Sequence, residues 1–235
     1  MNIQTKLPFY IFTVIFLSIT TGFSQQDDDI QASFFAISGG LNASKYNSSE
    51  RLFDDSKIGT GYNLALSHYL TPDFAYDTFF FRTSLSFISE KSEAGKTILY
   101  QNIPVISKAD DKFIGIHLFG GYRFDPESKL DAYLGGGLFF QTRINDPDKA
   151  LIFVTDTGEE FPIYTEDPSA PLQFQNEAPG SVLGIELESG SFFEIANNIA
   201  TVGIGLRYGF FLSKNSESLS LDKTTFYFNF GYQLY

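Results

Sequence analysis

Cysteine and tryptophan are absent from the chain, methionine occurs once and histidine twice. Without cysteine there is no disulfide framework and no thiolate metal site. The two histidines, His68 and His117, stand in no recognisable Ser-His-acid pattern. No G-x-S-x-G, H-E-x-x-H or phosphate-loop motif occurs. Positive charge is scarce as well: 16 Lys and Arg face 28 Asp and Glu, for a net charge of −12. A chain this acidic lacks the basic face that nucleic acid requires. Helical periodicity is nearly missing, and no stretch after the N-terminus approaches the 18 apolar residues of a spanning helix. If the mature chain meets a membrane, it does so as a barrel or at the surface.

The one long apolar run lies at the start. Lys6 precedes Leu7 to Ile19, and Gly22 and Ser24 sit at −3 and −1 of a cut before Gln25. This is a secretory leader layout, with an apolar core short for an anchor of ~30 Å. The expected organisation is a signal peptide over 1–24 and one domain over 25–235.

What the chain does have is aromatic residues, 27 Phe and 13 Tyr, and 20 Gly. They fall into period-2 alternation, the mark of strands with two unlike faces. "ATVGIGLRYGFFL" puts Val202, Ile204, Leu206, Tyr208, Phe210 and Leu212 on one face, with Arg207 on the other. Similar alternation runs through about 58–70, 78–87, 113–124, 131–144 and 181–189, and a less regular strand covers about 30–41. The terminal "TTFYFNFGYQLY" places Phe226, Phe228, Phe230, Tyr232 and Leu234 on one face, with Tyr235 one residue beyond the ladder. That phase is the expected C-terminal signal read by the barrel assembly machinery.

These segments make eight strands, and the connections between them alternate long and short. The fold predicted is all-β, an eight-stranded antiparallel up-and-down transmembrane β-barrel with short periplasmic turns and long outer loops. Residues 99–108 are assigned to an outer loop, as an extension of a hairpin. The polar faces carry glycine, serine and asparagine rather than the Lys and Glu of a wet sandwich face, which suits a crowded barrel interior. They also carry Arg82, Arg123, Asp131, Arg143, Glu186, Glu188 and Arg207. Buried charges must pair, so a salt-bridged plug is expected, with a gated path as the alternative reading. His68 is placed on the lipid side and His117 inside.

The connection over 145–180 holds Asp146, Asp148, Asp156, Glu159, Glu160, Glu166, Asp167 and Glu177 against Lys149 alone. It reads as a solvated acidic surface, or as a site for a protein partner or a divalent cation. No cofactor and no catalytic residue is expected.

"FFAISGGLNASKY", residues 34–46, resembles the opening strand of the porin-like outer-membrane β-barrel family common in Bacteroidota, with Gly40, Leu41, Asn42 and Ser44 carrying the likeness. "VGIGLRYGFFL" and "FNFGYQLY" look like late strands of that family. PorT-type secretion components share the layout. The resemblance implies a cell outer-membrane protein that contacts lipid and lipopolysaccharide, without a following peptidoglycan-binding domain. The expected role is structural or interaction-based. The alternatives are a small-solute channel, a secretion or gliding accessory, and a lipid-modifying enzyme.

Overall fold

The computed structural model describes residues 33–48, 53, 55–71, 78–95, 97–100, 102–163, 180–212 and 221–234. The expected leader and Tyr235 lie outside them. Eleven strands form one sheet, and every pairing among them is antiparallel. They are β1 (Ser33–Ser48), β2 (Gly59–Leu70), β3 (Phe79–Glu93), β4 (Ile98–Tyr100), β5 (Ile103–Arg123) and β6 (Leu130–Arg143). A one-turn helix, α1 (Pro147–Ala150), leads into β7 (Leu151–Thr155) and β8 (Glu160–Pro162). Then come β9 (Ser181–Ile195), β10 (Asn198–Leu212) and β11 (Leu221–Gln233).

The path β3–β2–β1–β11–β10–β9–β6–β5 returns on itself, because β3 also pairs with β5. Closure leaves none of these strands with an unpaired edge. The strand count differs from the expected eight by β4 and β7, which pair with the far end of β5, and by β8, which pairs with β7. The reason is the length of β5. Its 21 residues run well past the segment 113–124 read from alternation, and its extension offers backbone groups to β4 and β7. Residues 103–108 are therefore strand, in the extended hairpin that the sequence placed within an outer loop. Short connections lie at one end of the ring, over 124–129 and 196–197 among the described residues. The last is a two-residue turn with Ala196 at φ 51° and Asn197 at φ 67°, the left-handed pair that matches strand twist.

The alternation decides which side chains face out. Each ring strand sets large apolar residues outward, among them Leu41, Leu64, Leu85, Leu118, Leu138, Ile185, Ile204 and Phe228, all exposed. From Ile114 on β5 to Phe124 just beyond its end, at about 3.3 Å per residue and a tilt of about 40°, this band stands about 25 Å tall. Beyond it the outward positions of β3 and β5 turn charged, and Lys91 pairs with Asp110 at 2.9 Å.

Inside, two apolar clusters stand apart. One, beside the short turns, joins Phe34, Tyr69, Phe80, Phe119, Tyr133 and Phe192. The other fills the opposite half with Tyr46, Ile88, Phe113, Phe139, Val182 and Phe211, capped by Leu151, Phe153 and Ile163. Inward glycines make room for the rings. A Cβ on Gly121 would meet the Phe80 ring at 2.3 Å, and one on Gly205 the Tyr227 ring at 2.4 Å.

β1 and β11 close the ring over thirteen register pairs, from Ala36↔Gln233 to Ser48↔Leu221. Phe226, Phe228, Phe230 and Leu234 are exposed and Tyr232 is half-buried, the phase read from Leu234 backwards. The Leu234 amide also donates to the Phe35 carbonyl at 2.7 Å. Deleting Leu234 and Tyr235 together is expected to lower the yield of folded, heat-modifiable protein far more than deleting Tyr235 alone. Equal losses on the gel would contradict the phase.

Candidate functional site

Inward positions on strands with large-and-small alternation bring polar side chains to a narrow axis. At mid-height, Glu188 is the hub. Arg82 grips it with two hydrogen bonds, at 2.6 and 3.1 Å, reaching across from β3 to β9. The Tyr133 and Tyr227 hydroxyls donate to its two oxygens at 2.6 and 2.9 Å. Glu186, two residues away on the same face, accepts from Arg207 Nε at 3.1 Å, its register neighbour on β10. Arg82 Nη2 stands 3.9 Å from Glu186 as well. The guanidinium carbons lie over aromatic rings, Arg82 over Phe119 at 4.3 Å and Arg207 over Tyr227 at 4.0 Å. Glu186 and Glu188 are only 1% and 2% exposed, so their partners are what make ionised carboxylates tolerable there.

The seven charges expected inside are thus placed inside or at the rim, but they do not form one cluster. Arg82, Glu186, Glu188 and Arg207 meet at mid-height. Arg143 belongs to a second tier toward the long connections, where its Nε donates to Asp111 at 2.5 Å and the Tyr46 hydroxyl donates to the other Asp111 oxygen at 2.6 Å. Arg123 and Asp131 pair near the short turns. Sequence reading missed Asp111 and the buried ion pair Lys223–Glu90, whose Nζ–Oε2 distance is 2.6 Å. Lys223 also donates to Gln141 at 2.9 Å, and Thr225 donates to Glu90 at 3.0 Å. Their signal was inward parity itself, which continues through Ile88 and Glu90 after the outward face has turned polar.

His117 points inward and His68 outward, where His68 stacks on Phe35 at 4.6 Å. His117 corrects one reading. Its Nδ1 lies 2.9 Å from Glu186 Oε2 and its Nε2 lies 2.9 Å from Ser86 Oγ. With Nδ1 donating to the carboxylate, Nε2 accepts from the hydroxyl, the connectivity of a Ser-His-acid relay. The three residues come from β3, β5 and β9, and only ring closure brings them together. The cavity beside Ser86 measures about 20 Å³, room for roughly one water molecule. Apolar clusters stand on either side of it.

The acidic connection over 145–180 is partly built structure. Residues 151–155 and 160–162 form the β7–β8 hairpin, which sends Leu151, Phe153 and Ile163 inward. Asp156, Glu159 and Glu160 sit exposed at its tip. Glu166, Asp167 and Glu177 lie outside the described residues. Among the described residues no three His, Asp or Glu side chains converge as metal ligands. On the charged extension, Lys57 donates to Glu93 at 2.7 Å, and this hydrogen bond, with the charge of Lys57 and Lys108, holds the Glu93 carboxyl below its ordinary range.

No protein-family model matches the chain, and no curated protein matches it. Among solved structures it is similar to Neisserial surface protein A (NspA) at 13% identity and a TM-score of 0.44, over 86% of this chain and 98% of that one. It is similar to the outer membrane protein OprG from Pseudomonas aeruginosa at 14% identity and a TM-score of 0.45, over 89% and 100%. A third likeness is to Ail, the attachment invasion locus protein of Yersinia pestis, in complex with the heparin analogue sucrose octasulfate. Identity is 13% and the TM-score 0.39, over 87% and 100%.

Proposed function

We propose that the chain is an integral outer-membrane protein, an eight-stranded β-barrel with a short outer extension, and that its lumen is sealed. The observation that carries this is the girdle of exposed apolar side chains on every ring strand, wrapped around an interior of paired charges. A water-soluble protein does not leave such a band uncovered. Its height suits the apolar slab that membrane barrels present to lipid. The short turns, the start of β1 and the end of β11 would face the periplasm, and the charged extension the outside. Lipid and lipopolysaccharide would contact the band. The barrel assembly machinery would read β11. The assignment to the porin-like family of Bacteroidota, with its PorT-type relatives, is supported by residues 34–46 and stays a proposal.

The role is structural or interaction-based and exerted from the two ends, with the exposed acids of the β7–β8 hairpin offered to a partner or cation. Catalysis is the second reading, because Ser86, His117 and Glu186 are connected as a relay. Their burial and the small adjacent cavity argue for a packed hydrogen-bond chain, so a fluorophosphonate probe should leave Ser86 unlabelled. For the main reading, the full chain expressed in a Gram-negative host should fractionate with the sarkosyl-insoluble membrane and migrate differently before and after boiling. A soluble periplasmic product would overturn it.

A further inference from the structure

The end of the ring beside the short turns is not flat. It opens into a cavity of about 640 Å³, within the size range of small-ligand sites. The floor is aromatic. Phe34 and Tyr69 stack at 4.7 Å, Phe192 meets Tyr69 edge-on at 5.7 Å, and Phe80 meets Phe192 at 5.1 Å. The wall carries Asp131, whose side chain is 4% exposed. Its Oδ2 accepts from Arg123, but its Oδ1, among the described residues, accepts no hydrogen bond. Glu127 and Glu194 stand at the cavity edge, so three carboxylates face the two cations Arg123 and Lys129. The chain already places one cation in this setting, since the Arg123 guanidinium lies 5.4 Å from the Phe192 ring centre.

We propose that this mouth is a binding site for an alkylammonium or alkylguanidinium group. Aromatic faces attract a desolvated cation through the ring quadrupole. A buried carboxylate oxygen without a donor supplies a charge-assisted hydrogen bond that the fold leaves unmade. An anion would meet a net negative wall, and a purely apolar ligand would leave the Asp131 oxygen unpaired. The group can arrive on a free amine or on a basic side chain of a polypeptide, and the two sources share this chemistry. The inference rests on the cavity and not on the membrane assignment.

The test uses the full chain folded in an uncharged detergent. Because the sequence has no tryptophan, Phe193→Trp on the cavity wall gives a single tryptophan, whose emission is excited selectively over that of the 13 tyrosines. Titration with n-butylguanidinium and n-butylammonium is expected to give a saturable change, and n-butanol none. N-acetyl-arginine amide, run in parallel, assigns the source: tighter binding than the bare cation points to a polypeptide, weaker binding to a free amine. Asp131→Asn should weaken binding about tenfold or more. Glu194→Gln, at an exposed position outside the packed floor, should weaken it about twofold and serves if Asp131→Asn does not fold. No saturation in the millimolar range, an equal response to n-butanol, or wild-type affinity in both variants would overturn the proposal.

Discussion

Glu188→Ala is expected to be the most damaging single substitution in the interior. It removes the acceptor of four hydrogen bonds at once, two from Arg82 and one each from Tyr133 and Tyr227. Stranding a buried guanidinium costs about 3–5 kcal/mol. Leaving buried hydroxyl donors unmade adds about 1–3 kcal/mol for each. The sum rivals the whole stability of an ordinary domain. The expected result is loss of most of the heat-modifiable form. Glu188→Gln keeps the shape and one acceptor oxygen but puts an NH2 donor in place of the other, and should retain a folded fraction with a lowered urea midpoint in phospholipid vesicles. A Glu188→Ala variant as stable as the parent would mean that the Arg82–Glu188 contact is not what holds β3 against β9.

Lys223→Ala is the second large effect, and it acts on the other tier. Lys223 joins β11 to Glu90 on β3 across the interior, with Gln141 of β6 as a further acceptor. Removing the ammonium leaves the Glu90 carboxylate buried, a loss of about 3–5 kcal/mol. Replacing both ends, Lys223→Met with Glu90→Met, removes the charge problem and should recover more than half of that loss. The coupling in a double-mutant cycle is expected at about 2 kcal/mol or more. Additive losses would show that the pair is incidental. The two experiments are separable, because the tiers share no hydrogen-bond partner in the contacts above.

Much of this arrangement is legible in the sequence, and the reason is geometric. Period-2 alternation assigns each residue to a face, so Leu183, Ile185 and Leu187 go outward and Glu186 and Glu188 inward without any knowledge of partners. Alternation assigns no height. Which inward residues share a level depends on how far each strand is staggered against the next in the closed ring. Arg82, Arg143 and Arg123 are alike on paper, yet they sit in three separate tiers with Glu188, Asp111 and Asp131. Strand ends were read where the apolar face stopped, at Phe87 and Phe113. β3 and β5 continue beyond those points with charged outward residues, Lys91, Lys108 and Asp110, while the inward face stays buried. Glu90 and Asp111 were lost for that reason, and Lys223 because the terminal strand was read from Thr224. The contact of His117 with Ser86 and Glu186 joins residues 31 and 69 positions apart, and no local pattern announces it.

The sealed lumen proposed above rests on how these tiers stack. The aromatic cluster beside the short turns carries the Arg123–Asp131 pair, the tiers of Glu188 and Asp111 follow, and the second apolar cluster fills the opposite half. The small cavity beside Ser86 holds about one water. Single-channel recording in planar bilayers, with the purified full chain inserted at high salt, measures this most directly. The expected record is the unmodified lipid baseline, with no sustained steps at either polarity, from protein shown to be inserted by its heat-modifiable migration. Sustained conductance steps from the same preparation would contradict a sealed lumen and turn the paired charges into the lining of a path.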